Sequence, residues 1–261
     1  VRARGAKVIL KGDAFAAAAE HAQELIKEHG YTYIPPFDDI DVVAGQGTIG
    51  VEILRQHAGR LDAIFVPVGG GGLIAGVAAY VKYLRPDIKV IGVEAEDSAC
   101  LKAALEAGER VILDQVGVFA EGVAVAQIGE VPFSLIQGLI DGVITVNTDE
   151  MCAAVKDIFE DTRAVAETSG ALSLAGLKKY IQQTGAEGET LLCINSGANT
   201  NFDRLQHIAE RTELGEQREA ILAVTIAEKP GSFKKFCRTL GKRMVTEFSY
   251  RYADSSEAHI Y

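Results

Sequence analysis

The chain holds 261 residues, 48% of them hydrophobic, enough for one large or two modest domains with cores of their own. A formal net charge of -10 and the lack of a block of Lys and Arg exclude nucleic acid as a partner, because a phosphate backbone calls for clustered cations. Cys100, Cys152, Cys193 and Cys237 lie too far apart for C-x-x-C or His/Cys metal patterns and point to a reducing compartment, the cytoplasm.

The N-terminus, Val1-Arg2-Ala3-Arg4, has no Met and no signal-like apolar core, and reads as a chain entered midway. Residues 7–10 read as a strand, 13–29 as a helix between Gly12 and Gly30, and 31–34 as a second strand before Pro35-Pro36. A helix near 48–56 follows. Then come the apolar strand 63–68, the glycines Gly69, Gly70, Gly71 and Gly72, a helix to Leu84, a strand over 88–93 ending at Glu94, and a helix near 98–107. Further on, the strand 143–146 runs into Asn147, which caps a helix with Glu150 at the third position, and a helix over 171–181 precedes a strand over 190–194. Such alternation predicts an α/β fold, a doubly wound and mostly parallel sheet with helices on both faces.

The glycine run is the feature that carries chemistry. Without Cβ atoms the loop leaves backbone N–H groups uncovered, and the helix behind it adds about half a positive charge at its start, so a phosphate fits there. No Lys follows the glycines, which argues against a P-loop and NTP hydrolysis. Two other readings fit the same stretch. Residues 63–81 carry no charge and are long enough to span a membrane, but Pro67 and four glycines break the helix that would need. Gly70, Gly72 and Ala75 also satisfy G-x-G-x-x-A, with Glu94 near the place of a ribose-binding acid, so spacing alone leaves a dinucleotide open. Asn195-Ser196-Gly197 follows a strand as the glycines do, and both are expected at one cleft beyond the strand ends.

Five segments in one order carry a family resemblance. They are Val66-Pro67-Val68-Gly69-Gly70-Gly71-Gly72-Leu73, Val93-Glu94-Ala95-Glu96-Asp97-Ser98, Phe119-Ala120-Glu121-Gly122-Val123-Ala124-Val125, Ala166-Glu167-Thr168-Ser169-Gly170-Ala171-Leu172 and Ile194-Asn195-Ser196-Gly197-Ala198-Asn199. The chain resembles the biosynthetic threonine ammonia-lyases (threonine dehydratases) over nearly its whole length. The resemblance implies a pyridoxal 5'-phosphate (PLP) enzyme of the tryptophan-synthase-like fold, fold type II, and decides against NAD. It implies that Gly69, Gly70, Gly71, Gly72 and Leu73 hold the cofactor phosphate and that Ser196 meets the pyridine nitrogen. A neutral hydroxyl there leaves the nitrogen unprotonated, a weaker electron sink suited to β-elimination. Glu167 is a secondary catalytic candidate, since its counterpart lies near the cofactor. Glu94 matches a carboxylate that helps hold a divalent cation in related racemases and dehydratases, but the second acid of that site is replaced by Cys100, so no metal is expected. His21, His29, His57, His207 and His259 are scattered and read as solvated or capping residues.

The implied reaction is elimination of water from L-threonine to give 2-oxobutanoate and ammonia. The family's Schiff-base lysine belongs to a Ser-x-Phe-Lys motif upstream of Val1, so the chain is expected to be inactive alone, part of an enzyme truncated at both ends. Ser232-Phe233-Lys234 imitates the motif but comes after Ser196, and Lys234 reads as a solvated helix residue. The expected domains are the remainder of a small cofactor domain over 1–38, a large PLP-binding domain over 39–214, and the start of an ACT-like regulatory domain over 215–261. That last part has the order β-α-β-β, with strands over 220–227, 245–251 and 258–261 around a helix from Gly231 to Leu240, and without the final helix and strand of a ferredoxin-like unit. The resemblance implies isoleucine and valine as effectors, a homo-oligomer (a tetramer), no membrane, and a cytoplasmic location, or a plastid in a plant. The alternatives are a serine dehydratase or racemase-like PLP enzyme and, from another class, a non-catalytic amino-acid-binding regulatory protein.

Overall fold

The computed structural model describes residues 2–12, 15–215, 220, 222–245, 248–252 and 257–260. The chain forms two compact units, Val1–Gly215 and Glu216–Tyr261. In the first, the elements run α1 (Phe15–His29), α2 (Ile40–Gln56), β1 (Ala63–Pro67), α3 (Gly72–Leu84), β2 (Lys89–Ala95), α4 (Cys100–Ala107), α5 (Glu130–Ile136), β3 (Gly142–Val146), α6 (Thr148–Thr162), α7 (Thr168–Thr184), β4 (Leu191–Cys193) and α8 (Arg204–Gly215).

The four strands form one parallel sheet in the order β3-β2-β1-β4, with Ala63 opposite both Lys89 and Leu191. β1 is buried at every position, as the uninterrupted run Ala-Ile-Phe-Val-Pro requires of a strand covered on both faces. Its alternation sends Ile64 and Val66 to one layer with Val43, Ile74, Val77, Leu101 and Ile136, and Ala63 and Phe65 to the other with Val93, Met151, Leu172 and Ile208. Helices α2, α3, α4 and α5 therefore cover one face, and α6, α7 and α8 the other. Glycine sets how closely α2 and α3 cross: a Cβ at Gly76 would meet the backbone of Val43 and Gly47.

Several expected boundaries move. Residues 7–10 and 31–34 form no strand, for a strand needs a neighbour to bond, and among the described residues neither segment has one. α2 begins at Ile40, well before the expected 48, because Asp39 Oδ1 accepts from the N–H groups of Asp41 (2.8 Å) and Val42 (3.2 Å) and caps it there. Asn147 and Glu150 make the reciprocal capping box at the start of α6. The helices α5 and α8 stand where no helix was read.

In the second unit β5 (Val224–Ala227), α9 (Ser232–Leu240), β6 (Tyr250–Tyr252) and β7 (Glu257–Ile260) form a three-stranded antiparallel sheet in the order β5-β7-β6. The third strand lies between the first two, as in the first four elements of a ferredoxin-like unit. The strand expected over 245–251 is described only at Tyr250–Tyr252, and Val245 lies outside it; residues 246–247 and 261 fall outside the described residues. Among the described residues no helix is long and apolar enough to cross a membrane.

Candidate functional site

The glycine loop joins the carboxyl end of β1 to α3, and its backbone is held plane by plane. Gly129 N–H donates to Gly70 O (3.0 Å), Ala75 N–H to Gly71 O (3.0 Å), and the Cys100 thiol to Gly69 O (3.4 Å). In a trans peptide the N–H of the next residue points opposite to the carbonyl. Anchoring the carbonyls of Gly69, Gly70 and Gly71 therefore turns the N–H groups of Gly70, Gly71 and Gly72 each away from its own anchor, and none of these three finds an acceptor among the described residues. The geometry requires glycine at two positions in particular. Gly71 has φ +90° and would set a Cβ 2.5 Å from Ile128 Cδ1, and a Cβ at Gly70 would enter the Phe37 ring. Uncommitted backbone donors at the start of α3 attract an anion.

The other motif segments are tied to this loop one through the next. A Cβ at Gly69 would stand 3.0 Å from Val123 Cα, Gly122 N–H donates to Ser169 Oγ (2.9 Å), and Thr168 Oγ1 donates to Phe119 O (3.1 Å). Glu167 precedes the first turn of α7; its N–H donates to Gly197 O (3.1 Å), and Ser196 N–H donates to Gly170 O (3.4 Å). Ser173 Oγ donates to Ile194 O (2.7 Å), fixing the end of β4 on α7. Ser196 is exposed and Glu167 half-buried.

Glu94 points into the protein instead, wholly buried, accepting from the N–H groups of Leu101 (2.7 Å) and Lys102 (2.9 Å) at the start of α4. Burial outweighs these bonds and pushes its carboxyl up to about 7, while burial and the nearby Glu94 push the Cys100 thiol up to about 12. No group of three metal-ligating side chains occurs among the described residues.

A cavity of about 340 Å³ opens beside Glu167, between Phe119, Ser169, Asn199, Arg204 and His207, and an ion pair of Arg204 with Glu121 stands on its wall. Of the site residues singled out in the sequence only Glu167 lines it. The cavity was not legible beforehand, because α8, which supplies Arg204 and His207, reads as a charged boundary. His207 packs edge-on against Phe119 and His57 takes the Arg60 carbonyl as partner (2.9 Å), while the side chain of His259 lies outside the described residues. Lys234 is exposed on α9 in the second unit.

Residues 1–197 match the family described as pyridoxal-phosphate dependent enzyme. The chain belongs to that family. Residues 210–261 match the C-terminal regulatory domain of threonine dehydratase. Over its full length the chain is 60% identical to the L-threonine dehydratase biosynthetic IlvA of Salmonella typhimurium and 59% identical to that of Escherichia coli, covering 51% of each. The processed form of threonine deaminase isoform 2 from Solanum lycopersicum superposes with a TM-score of 0.77 at 47% identity, over 80% of this chain and 61% of that one. The chain thus spans about half the length of the curated relatives it matches. The likeness covers both units and is that of the threonine dehydratases named in the resemblance.

Proposed function

We propose that the chain is the cofactor-phosphate side and the early regulatory part of a biosynthetic threonine ammonia-lyase, acting on L-threonine to release 2-oxobutanoate and ammonia. The observation that carries the reading is the anchored glycine loop, with three N–H groups that find no acceptor among the described residues, in a fold unit that also joins Ser196 and Glu167 through Gly197. These residues fit PLP: no Cβ fills the donor face of the loop, and a neutral hydroxyl stands on the adjoining loop. Bound there, PLP supplies an electron sink for the charge left when the α-proton departs.

Each residue then has a defined task. The N–H groups of Gly70, Gly71 and Gly72, with those of Gly69 and Leu73, hold the phosphate dianion. Ser196 presents its hydroxyl to the ring nitrogen without donating a full charge. Glu167, fixed by its own N–H on Gly197, places a carboxylate beside that serine. Removal of the α-proton, with departure of the β-hydroxyl, falls to the family's Schiff-base lysine, a role that Lys234, exposed on α9, does not fill. The unit from Glu216 senses isoleucine and valine, and the enzyme is a homo-oligomer, with the tetramer carried over from the resemblance.

A serine-specific PLP enzyme is the second reading, favoured only by structural neighbours such as the Dictyostelium discoideum serine racemase at 33% identity. Protein made from the complete gene should release keto acid from threonine faster than from serine and be inhibited by isoleucine. Turnover of serine alone would move the assignment to the second reading, and no turnover of either would leave an amino-acid-binding protein.

A further inference from the structure

We propose that Cys100 is a positioning residue for the phosphate cradle: its thiol holds the Gly69 carbonyl and so aims the Gly70 N–H at the bound phosphate. The proposal rests on the reading of Gly69 to Leu73 as that cradle. Of the three carbonyl anchors, those on Gly70 and Gly71 come from backbone N–H groups, which no substitution of ordinary residues deletes cleanly. The anchor on Gly69, the first glycine after the strand segment, is a side chain.

Cys100 is placed for this task by its surroundings. It is the first residue of α4 and fully buried. The two Glu94 carboxylate oxygens take the N–H groups of the next two residues, Leu101 and Lys102, which fixes the start of the helix and with it the direction of the Cys100 side chain. Glu94 itself is the penultimate residue of β2, the strand paired with β1 in register, Pro67 opposite Val93. The path from strand to loop is therefore short and rigid: β2, Glu94, the first turn of α4, Cys100, the Gly69 carbonyl. A neutral thiol suits the role, since it can donate to a carbonyl, whereas a thiolate would repel it. Burial keeps the proton on sulfur.

The plain competing account is that Cys100 merely fills space under the loop. Cys100→Val keeps a similar volume without a donor, and Cys100→Ser keeps a donor. The probes are pyridoxine 5'-phosphate and pyridoxine, which lack an aldehyde and so cannot couple to surface lysines, titrated calorimetrically into the 261-residue chain. Wild type should prefer the phosphorylated probe. Cys100→Val should lose roughly threefold to tenfold of that preference, the worth of one hydrogen bond, and Cys100→Ser should regain most of it, at unchanged melting temperature. A full preference in Cys100→Val overturns the proposal and leaves the cradle standing. Equal losses in folded Val and Ser variants also overturn it, since packing and not donation would then be at work. Equal affinity of wild type for both probes overturns the cradle and this proposal together. If Cys100→Val does not fold, Cys100→Ala takes its place in the same comparison.

Discussion

The carboxylate of Glu167 occupies the space that a side chain at Gly197 would need: the three atoms nearest to a Cβ built there all belong to Glu167, with Cδ at 2.9 Å. The two residues are also joined by the Glu167 N–H on the Gly197 carbonyl at 3.1 Å. Glycine at 197 is thus what lets an acid stand next to Ser196.

Gly197→Ala should push the Glu167 carboxylate, the movable end of a flexible side chain, out of this space at a cost of about 0.5–1.5 kcal/mol. In a Glu167→Ala background most of that cost should vanish, because the space has been emptied. Urea unfolding of wild type, both single variants and the double variant gives the coupling. Additive costs would mean that the two side chains do not compete for one volume.

Glu94 makes stability depend on pH. Its carboxyl is raised from 4.5 to about 7 in the folded chain, chiefly by burial, against the pull of the Leu101 and Lys102 N–H groups. A group whose pKa is raised by folding contributes stability that is fully present below its unfolded value and lost as pH climbs through the folded one. Between 4.5 and about 7 the loss from this group accumulates to about 3 kcal/mol. Glu94→Gln has no proton to lose, so its unfolding free energy relative to wild type should rise by up to that amount between pH 4.5 and 7.5. Parallel pH profiles for the two proteins would show that Glu94 keeps the same pKa folded and unfolded.

What the sequence disclosed and what it concealed divide along a physical line. Local signals held: the apolar run 63–67 ending in glycines, the Asn147 and Glu150 capping pair, and the turn at Gly231 before α9 each settle within a few residues. Readings that depend on a distant partner did not. Residues 7–10 and 31–34 have the composition of strands, but a ladder needs a neighbour that lies elsewhere in the chain order. α2 reads short because Gly45 and Gly47 lower helix propensity, and the reason for Gly47 is tertiary: a Cβ there would stand 3.1 Å from the Gly76 carbonyl on α3. α5 hid behind Pro132, which the first turn of a helix tolerates, although Gly129 and Glu130 mark its start. α8 was masked by its charges, with Leu205, Ile208 and Thr212 as the only periodic hint of a packed face. At the site, the glycine loop, Ser196 and Glu167 were each legible as motifs, while the thiol of Cys100 on Gly69 joins residues 31 positions apart and leaves no local trace.

Ser196→Asp, made in the protein from the complete gene, tests the partner of the ring nitrogen. A carboxylate at this position stabilises the protonated pyridine and strengthens the electron sink, so part of the flux should return a proton at the wrong atom. Threonine dehydration should fall by roughly tenfold or more, an energy of about 1.4 kcal/mol, while racemised or transaminated side products rise. Unaltered rate and product ratio would place Ser196 away from that nitrogen.

In the second unit a half-exposed aromatic cluster gives the last test. Phe233 on α9 meets Phe248 at 5.4 Å, Tyr250 at 6.1 Å and Phe236 at 6.2 Å between ring centroids, and aromatic pairs in such tilted arrangements add about 0.5–1.5 kcal/mol beyond the area they bury. β5 pairs only with β7 among the described residues, so its other edge has no strand beside it there. Phe233→Ala should therefore raise amide exchange across β5, α9 and β6 by roughly tenfold, while β1 and β2, held in the first unit by wholly buried neighbours, keep their protection. Isoleucine titrated into the same two proteins should heat less in the variant, because the unit that would bind it opens more often. Equal loss of protection in β1 and β5 would show that the two units unfold as one, and an unchanged β5 would show that the Phe233 cluster does not hold the second unit together.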